Sequence, residues 1–167
     1  MTMSSQIGFC TGGCEILDSV KDMWEKLIHV SSIKSTYFSH YIQNATWDAK
    51  KDTFIKKAAE GSLRVDLATL NEENMGFCVS SIVDGIGEVE ALFVEECSRG
   101  HGVGKTLLQR AIEWMKINGT RVMNVVTVYG DDDIMNFYAK QGYRPISIML
   151  ANDQGPTCTE HSCTENH

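Results

Sequence analysis

The stretch Arg99-Gly100-His101-Gly102-Val103-Gly104-Lys105-Thr106 limits what this chain can become more than any other part of it. Residues 88–95 before it read as a strand. After it, Leu107, Leu108, Ala111, Ile112 and Met115 recur at helical spacing. Glycines in such a loop let the backbone turn tightly and approach a ligand with no Cβ in the way. The free amides of the helix's first turn then point at whatever lies above them, and the macrodipole adds partial positive charge. That combination is an anion site, and phosphate is its usual occupant. Arg99 and Lys105 flank it with full charges, which a turn needed only for packing does not explain.

Two familiar phosphate loops do not fit. A Walker A loop needs glycine five residues before the Gly of Gly104-Lys105-Thr106, and Arg99 stands there. A Rossmann fingerprint spaces its glycines by two and then three, whereas Gly100, Gly102 and Gly104 are spaced by two and two.

With 167 residues and 43% hydrophobic content, the chain has the size and apolar fraction of one domain with a sizeable core. A short strand is expected at residues 7–10. Asp18 or Ser19 caps a helix with Val20, Met23, Trp24, Leu27 and Ile28 on one face, and a second helical piece covers 37–42. Thr46 opens a further helix that ends at Gly61. Strands at 63–70, 75–83 and 88–95, joined by the turns at 71–74 and Asp84-Gly85, make an antiparallel meander. A helix (103–116), a strand (121–128), a helix (133–140) and a last strand (146–150) complete a mixed α/β domain with one central, mostly antiparallel sheet. The domain spans 1–150, and 151–167 is a polar tail expected to be flexible.

The glycine loop, with Glu88-Val89-Glu90-Ala91-Leu92-Phe93-Val94 before it, resembles the coenzyme A pyrophosphate loop of the GNAT superfamily of N-acetyltransferases. Asn136-Phe137-Tyr138-Ala139-Lys140-Gln141-Gly142-Tyr143 resembles that family's second signature. The resemblance is specific over 75–150 and only topological before that. It implies acetyl-CoA as co-substrate and direct transfer of the acetyl group to a primary amine in a ternary complex. Pantetheine is then expected along Leu92, Phe93 and Val94, with an amide near Val94 polarising the acetyl carbonyl. The pyrophosphate rests on the amides of Gly100, His101, Gly102, Val103, Gly104 and Lys105, beside Arg99. Tyr138 matches the tyrosine that approaches the coenzyme sulfur and protonates it on departure. Asp131 stands where relatives carry an asparagine, and keeps its helix-capping role.

For the base, Glu90 comes first and Glu88 second. The strand period puts both on one face with Leu92 and Val94, where an apolar sheet raises a carboxylate's proton affinity. A solvated pair of glutamates on a strand edge explains them equally well. Trp24, Tyr37, Tyr41 and Trp47 are expected to line or border the acceptor site. The main rival function is a non-catalytic module that binds acyl-CoA as a sensor or scaffold.

A net charge of -7 argues against a nucleic-acid partner and suits a cationic acceptor, either a small-molecule amine or a protein amine. No apolar run reaches the ~18 residues needed to cross a bilayer, so no membrane partner and a cytoplasmic location are expected. A homodimer is left open. Cys10, Cys14, Cys78 and Cys97 read as small buried hydrophobes. Cys158, His161, Cys163 and His167 match no standard zinc spacing, so no metal is assigned.

Overall fold

Two tight turns fold the middle of the chain into the expected meander. Asn71 and Glu72 take left-handed φ of 51° and 69° between strands β2 (Ser62–Leu70) and β3 (Glu73–Val83). Asp84-Gly85 then turns β3 into β4 (Ile86–Val94). The structure, a computed structural model, describes residues 6–152. Its sheet adds β1 (Ile7–Gly12) outside β2 and β5 (Val122–Val125) outside β4, in the order β1-β2-β3-β4-β5. The first four strands are antiparallel, and β5 runs parallel to β4. The mixed α/β class is therefore as expected.

Helices cover both faces. A 3-10 stretch (Cys14–Val20), α1 (Lys21–Lys34), the short α2 (Ser39–Gln43) and α3 (Trp47–Glu60) precede the meander. Leu17, Trp24, Trp47 and Phe54 pack there against Val65, Phe77, Val79, Ala91 and Phe93. On the opposite face, α4 (Val103–Ile117) and α5 (Asp132–Lys140) bury Leu107, Leu108, Met115 and Tyr138 against Cys78, Val89 and Leu92. Thr46 caps α3 as expected, its hydroxyl accepting from Ala49 N at 3.4 Å. Neither Asp18 nor Ser19 caps α1, because the 3-10 stretch runs straight into it.

Three other expectations are corrected. The strand expected at 121–128 ends at Val125, and 146–150 is not a strand: Ile146, Met149 and Leu150 are about nine-tenths exposed. A strand needs an edge to pair with, and residues 126–128 offer none because they have left the sheet. Among the described cysteines only Cys78 is buried, while Cys10 and Cys97 are exposed and Cys14 is intermediate. The third correction concerns β4. Val79 faces Ala91 but Ser80 faces Val89, which leaves Glu90 as an extra, bulged residue. The bulge resets the alternation, so Glu88 and Glu90 lie on the α3 face and Leu92 and Val94 on the α4 face.

A buried carboxylate joins sheet and helix on the α4 side. Asp66 of β2, with no solvent exposure, accepts from Thr11 Oγ1 at 2.6 Å, from Arg64 Nε at 2.6 Å and from Arg110 Nε at 3.0 Å. Burial alone would raise its pKa, but these three donors outweigh it and hold the carboxyl below the ordinary range. A lowered native pKa stabilises the fold above the unfolded value of about 3.9, and that stability is lost as pH falls through the native value. Asp66→Ala should cost about 3 kcal/mol by leaving both guanidinium groups without their partner. Urea unfolding at neutral pH reads that loss, and the gap between wild type and variant should close in acid.

Candidate active site

Helix α4 starts at Val103 behind Gly102, and both Gly102 (φ 78°) and Gly100 (φ 79°) are left-handed. Only glycine takes this geometry without strain, and its effect is to turn successive amides the same way. The first amide here to find an acceptor is that of Thr106, on Gly102 O at 2.9 Å. Those of residues 100–105 have none among the described residues. A Cβ on Gly100 or Gly102 would meet nothing within 4 Å, so the loop fronts open space. Val103 is buried and offers only its backbone, while His101 and Lys105 are exposed. Arg99 turns back, donating from Nε to Val94 O at 2.9 Å with its guanidinium 5.6 Å from the Phe93 ring centre. It fastens the loop to the end of β4.

Next to this loop the sheet opens. Pairing of β4 with β5 stops at Val89 opposite Val125. On its other side β4 stays paired, and Glu95 N donates to Met75 O at 2.8 Å. Antiparallel alternation then turns the backbone groups of Ala91 and Phe93 toward β3, and those of Leu92 and Val94 into the gap. Phe93 is thus corrected: its backbone belongs to the ladder and its ring to the core on the α1 side.

Tyr138 sits on the α4 and α5 face, 5% exposed, packed edge-on against Phe137 and Tyr143 with ring centres 5.1 and 5.5 Å away. Burial pushes its phenol well above the ordinary tyrosine range, with smaller contributions from Cys78 and Tyr143. The Tyr143 hydroxyl is buried with no hydrogen-bond partner. Asp131 caps α5, accepting from Ile134 N at 3.2 Å, and also meets Lys34 Nζ at 3.4 Å. Lys34 in turn reaches Asp133 at 2.5 Å, tying the end of α1 to the start of α5.

The two glutamates are not open carboxylates on an apolar sheet. Lys57 of α3 donates to Glu88 Oε2 at 2.8 Å and to Glu90 Oε1. Ser81 Oγ donates to Glu90 Oε1 at 2.5 Å, and Lys50 Nζ lies 3.9 Å from Glu90 Oε2. The Glu90 side chain is 3% exposed against 31% for Glu88. Burial would lower the Lys57 pKa, but its bonds to both carboxylates win and hold it above the usual lysine range. Burial pulls Lys50 the other way; the Lys57 charge adds to this, and Glu90 only partly opposes it. The sequence reading overlooked both lysines. Their signal was spacing, because Lys50 and Lys57 share a helical stripe with Trp47 and Phe54 that should have been wholly apolar.

Trp24 and Trp47 belong to the core, their rings 5.6 Å apart, and only edge a cavity of about 310 Å³. Tyr37 and Tyr41 are exposed, Tyr37 stacking on Tyr129 at 6.5 Å. A larger cavity of about 800 Å³ between α1 and the end of β4 is lined by Asp22, Glu25, Glu95 and Glu96 around Phe93. Among the described residues no cluster of His, Cys, Asp and Glu is placed to hold a metal, and no helix is long and apolar enough to cross a membrane. The cysteines and histidines of the tail lie outside the described residues.

Acceptor-free amides thus lie beside the point where the sheet splits, an arrangement that can take an anion. Solved structures share the fold. An aminoglycoside N-acetyltransferase AAC(6')-Iy in complex with CoA aligns with a TM-score of 0.65 at 16% identity, over 93% of this chain and 99% of that one. The PaiA N-acetyltransferase of Thermoplasma acidophilum in complex with coenzyme A gives 0.67 at 18% identity, over 83% and 90%. A GCN5-related N-acetyltransferase from Ralstonia eutropha JMP134 gives 0.69 at 16%, over 90% and 100%. The uncharacterised N-acetyltransferase YobR of Bacillus subtilis (strain 168) is 33% identical over 67 residues, which are 40% of this chain and 27% of YobR. The profile of the acetyltransferase (GNAT) family matches residues 27–143, well over half of the sequence, and the chain belongs to that family.

Proposed function

We propose that this chain moves an acetyl group from acetyl-CoA to a primary amine by direct attack in a ternary complex. The observation that carries this is the row of acceptor-free amides at residues 100–105, opening directly onto the unpaired edge of β4. When bound, acetyl-CoA supplies the activated acetyl thioester. The amides of residues 100–105 bind the diphosphate. Leu92 and Val94 pair with the pantetheine, and Leu92, nearer the point where the strands part, polarises the acetyl carbonyl in place of Val94.

The two faces of the gap divide the proton chemistry. On the α3 face Glu90 takes the proton from the incoming ammonium, with Glu88 as the weaker candidate. On the α5 face Tyr138 donates a hydrogen bond to the departing sulfur. Because burial raises its pKa, its phenol stays protonated at working pH, so it stabilises the thiolate rather than giving up its proton outright. Tyr138→Phe should lower kcat by at least about tenfold with the KM for acetyl-CoA nearly unchanged, since a hydrogen bond to an anionic leaving group is worth about 1.5–3 kcal/mol.

The acceptor is read as a small cationic amine. Four carboxylates against two cations, Lys26 and Arg99, line the cavity beside Phe93, and one structural neighbour is an aminoglycoside N-acetyltransferase. Thiol release from acetyl-CoA across a panel of small amines and basic peptides tests the activity, and silence on every amine would defeat it. A second reading, a non-catalytic acyl-CoA-binding module, is favoured by the lysine that fills the space between Glu88 and Glu90. Tight coenzyme binding without turnover on any amine would select it.

A further inference from the structure

We propose that Lys50 is itself an acetyl acceptor, modified by the donor held in the β4–β5 gap when no external amine is present. The inference rests on the acetyl-transfer reading and extends it to a residue of the chain.

Lys50 brings an amine to the α3 side of β4, the same side of the sheet as the cavity beside Phe93, because α4 and α5 with Tyr138 close the other side. Glu90 is the residue next to Val89, at which β4 and β5 part, and Lys50 Nζ lies 3.9 Å from its Oε2. Beneath it lies the Phe54 ring, with Nζ 4.7 Å from the ring centre, a cation–π contact that fixes where the amine sits. The side chain keeps 29% of its exposure.

Lys57 stands as near to the same carboxylate but is a poor nucleophile, because Glu88 and Glu90 hold it as an ammonium from two sides. Lys50 makes no hydrogen bond to either carboxylate, only a 3.9 Å ion pair with Glu90, and burial favours its neutral form over that pull. Lys26, which lines the cavity beside Phe93, is tied to Glu95, and Lys51 is tied to Asp18. The reaction balances without a further reagent. The Lys50 ammonium gives one proton to Glu90, and the neutral amine attacks the thioester carbon. The N–C bond forms and the C–S bond breaks. The nitrogen's second proton leaves with the coenzyme as free thiol, and Glu90 returns its own proton to solvent.

The test is incubation of the full chain with acetyl-CoA and no amine, followed by intact-mass and peptide mass spectrometry. One acetyl group should appear on Lys50, and be absent in Lys50→Arg and in the loop variant Gly102→Val. In Glu90→Gln it should form about a hundredfold more slowly, the usual scale for a lost general base. An unmodified Lys50 in a protein that still releases thiol with the amine panel overturns this inference alone. So does an adduct that forms as fast in Gly102→Val, or spreads evenly over the lysines. No transfer to Lys50 or to any amine overturns this inference and the acetyl-transfer reading together.

Discussion

Replacing Gly102 with valine should abolish tight coenzyme binding while leaving the domain folded. No heavy atom lies within 4 Å of the new Cβ, so packing is not the difficulty. The difficulty is φ, which stands at 78° where a β-branched residue is strained by about 1–3 kcal/mol. The loop escapes by turning Gly102 to negative φ, and that rotation swings the neighbouring amides off their common target. Losing two charge-assisted hydrogen bonds of about 1.5 kcal/mol each weakens binding by roughly a hundredfold. Calorimetry with coenzyme A reads the loss, and thermal unfolding in the same buffer should show only a small drop. Alanine at the same position should fall between glycine and valine. A valine variant that binds as well as the wild type would remove the cradle from the account.

Glu90→Gln should lower kcat by about a hundredfold at neutral pH with the KM for acetyl-CoA little changed. Glutamine keeps the shape and still accepts the hydrogen bond that Ser81 Oγ makes at 2.5 Å. It cannot take a proton from an ammonium. Lys57 keeps its contact with Glu88 at 2.8 Å, so the ion-pair cluster is thinned rather than emptied. Glu88→Gln should cost much less, because Glu88 is the more exposed of the two and stands back from the point where β4 and β5 part. Steady-state rates of both variants against one good amine decide between them. A larger effect at Glu88 would move the base there, and no effect at either would end the carboxylate-base account.

The sequence carried most of the fold because local rules coincide with tertiary ones in the middle of the chain. Two-residue turns at Asn71-Glu72 and Asp84-Gly85 fix the meander, and the stripe of Leu107, Leu108, Ala111 and Met115 fixes the side of α4 that meets it. The glycine loop was legible for the same reason, since glycine spacing and the start of the next helix set its geometry locally. What escaped was non-local. A period of two predicts faces only while the ladder is regular, and the bulge at Glu90 moved Glu88 and Glu90 away from Leu92 and Val94. Nothing local to α3 gives Lys50 and Lys57 their partners until β4 puts carboxylates opposite them. The apolar run at 146–150 satisfies every local criterion for a strand and still lacks an edge to join.

The central claim is that backbone amides of this chain hold the coenzyme. Titration of nitrogen-labelled protein with coenzyme A, followed by amide NMR, addresses those groups one by one. The amides of residues 100–105 should move most and move downfield, as N–H groups do when they begin to donate to an anion, with Leu92 and Val94 following. Shifts confined to other parts of the surface, with the 100–105 amides unmoved at saturating coenzyme, would contradict the claim.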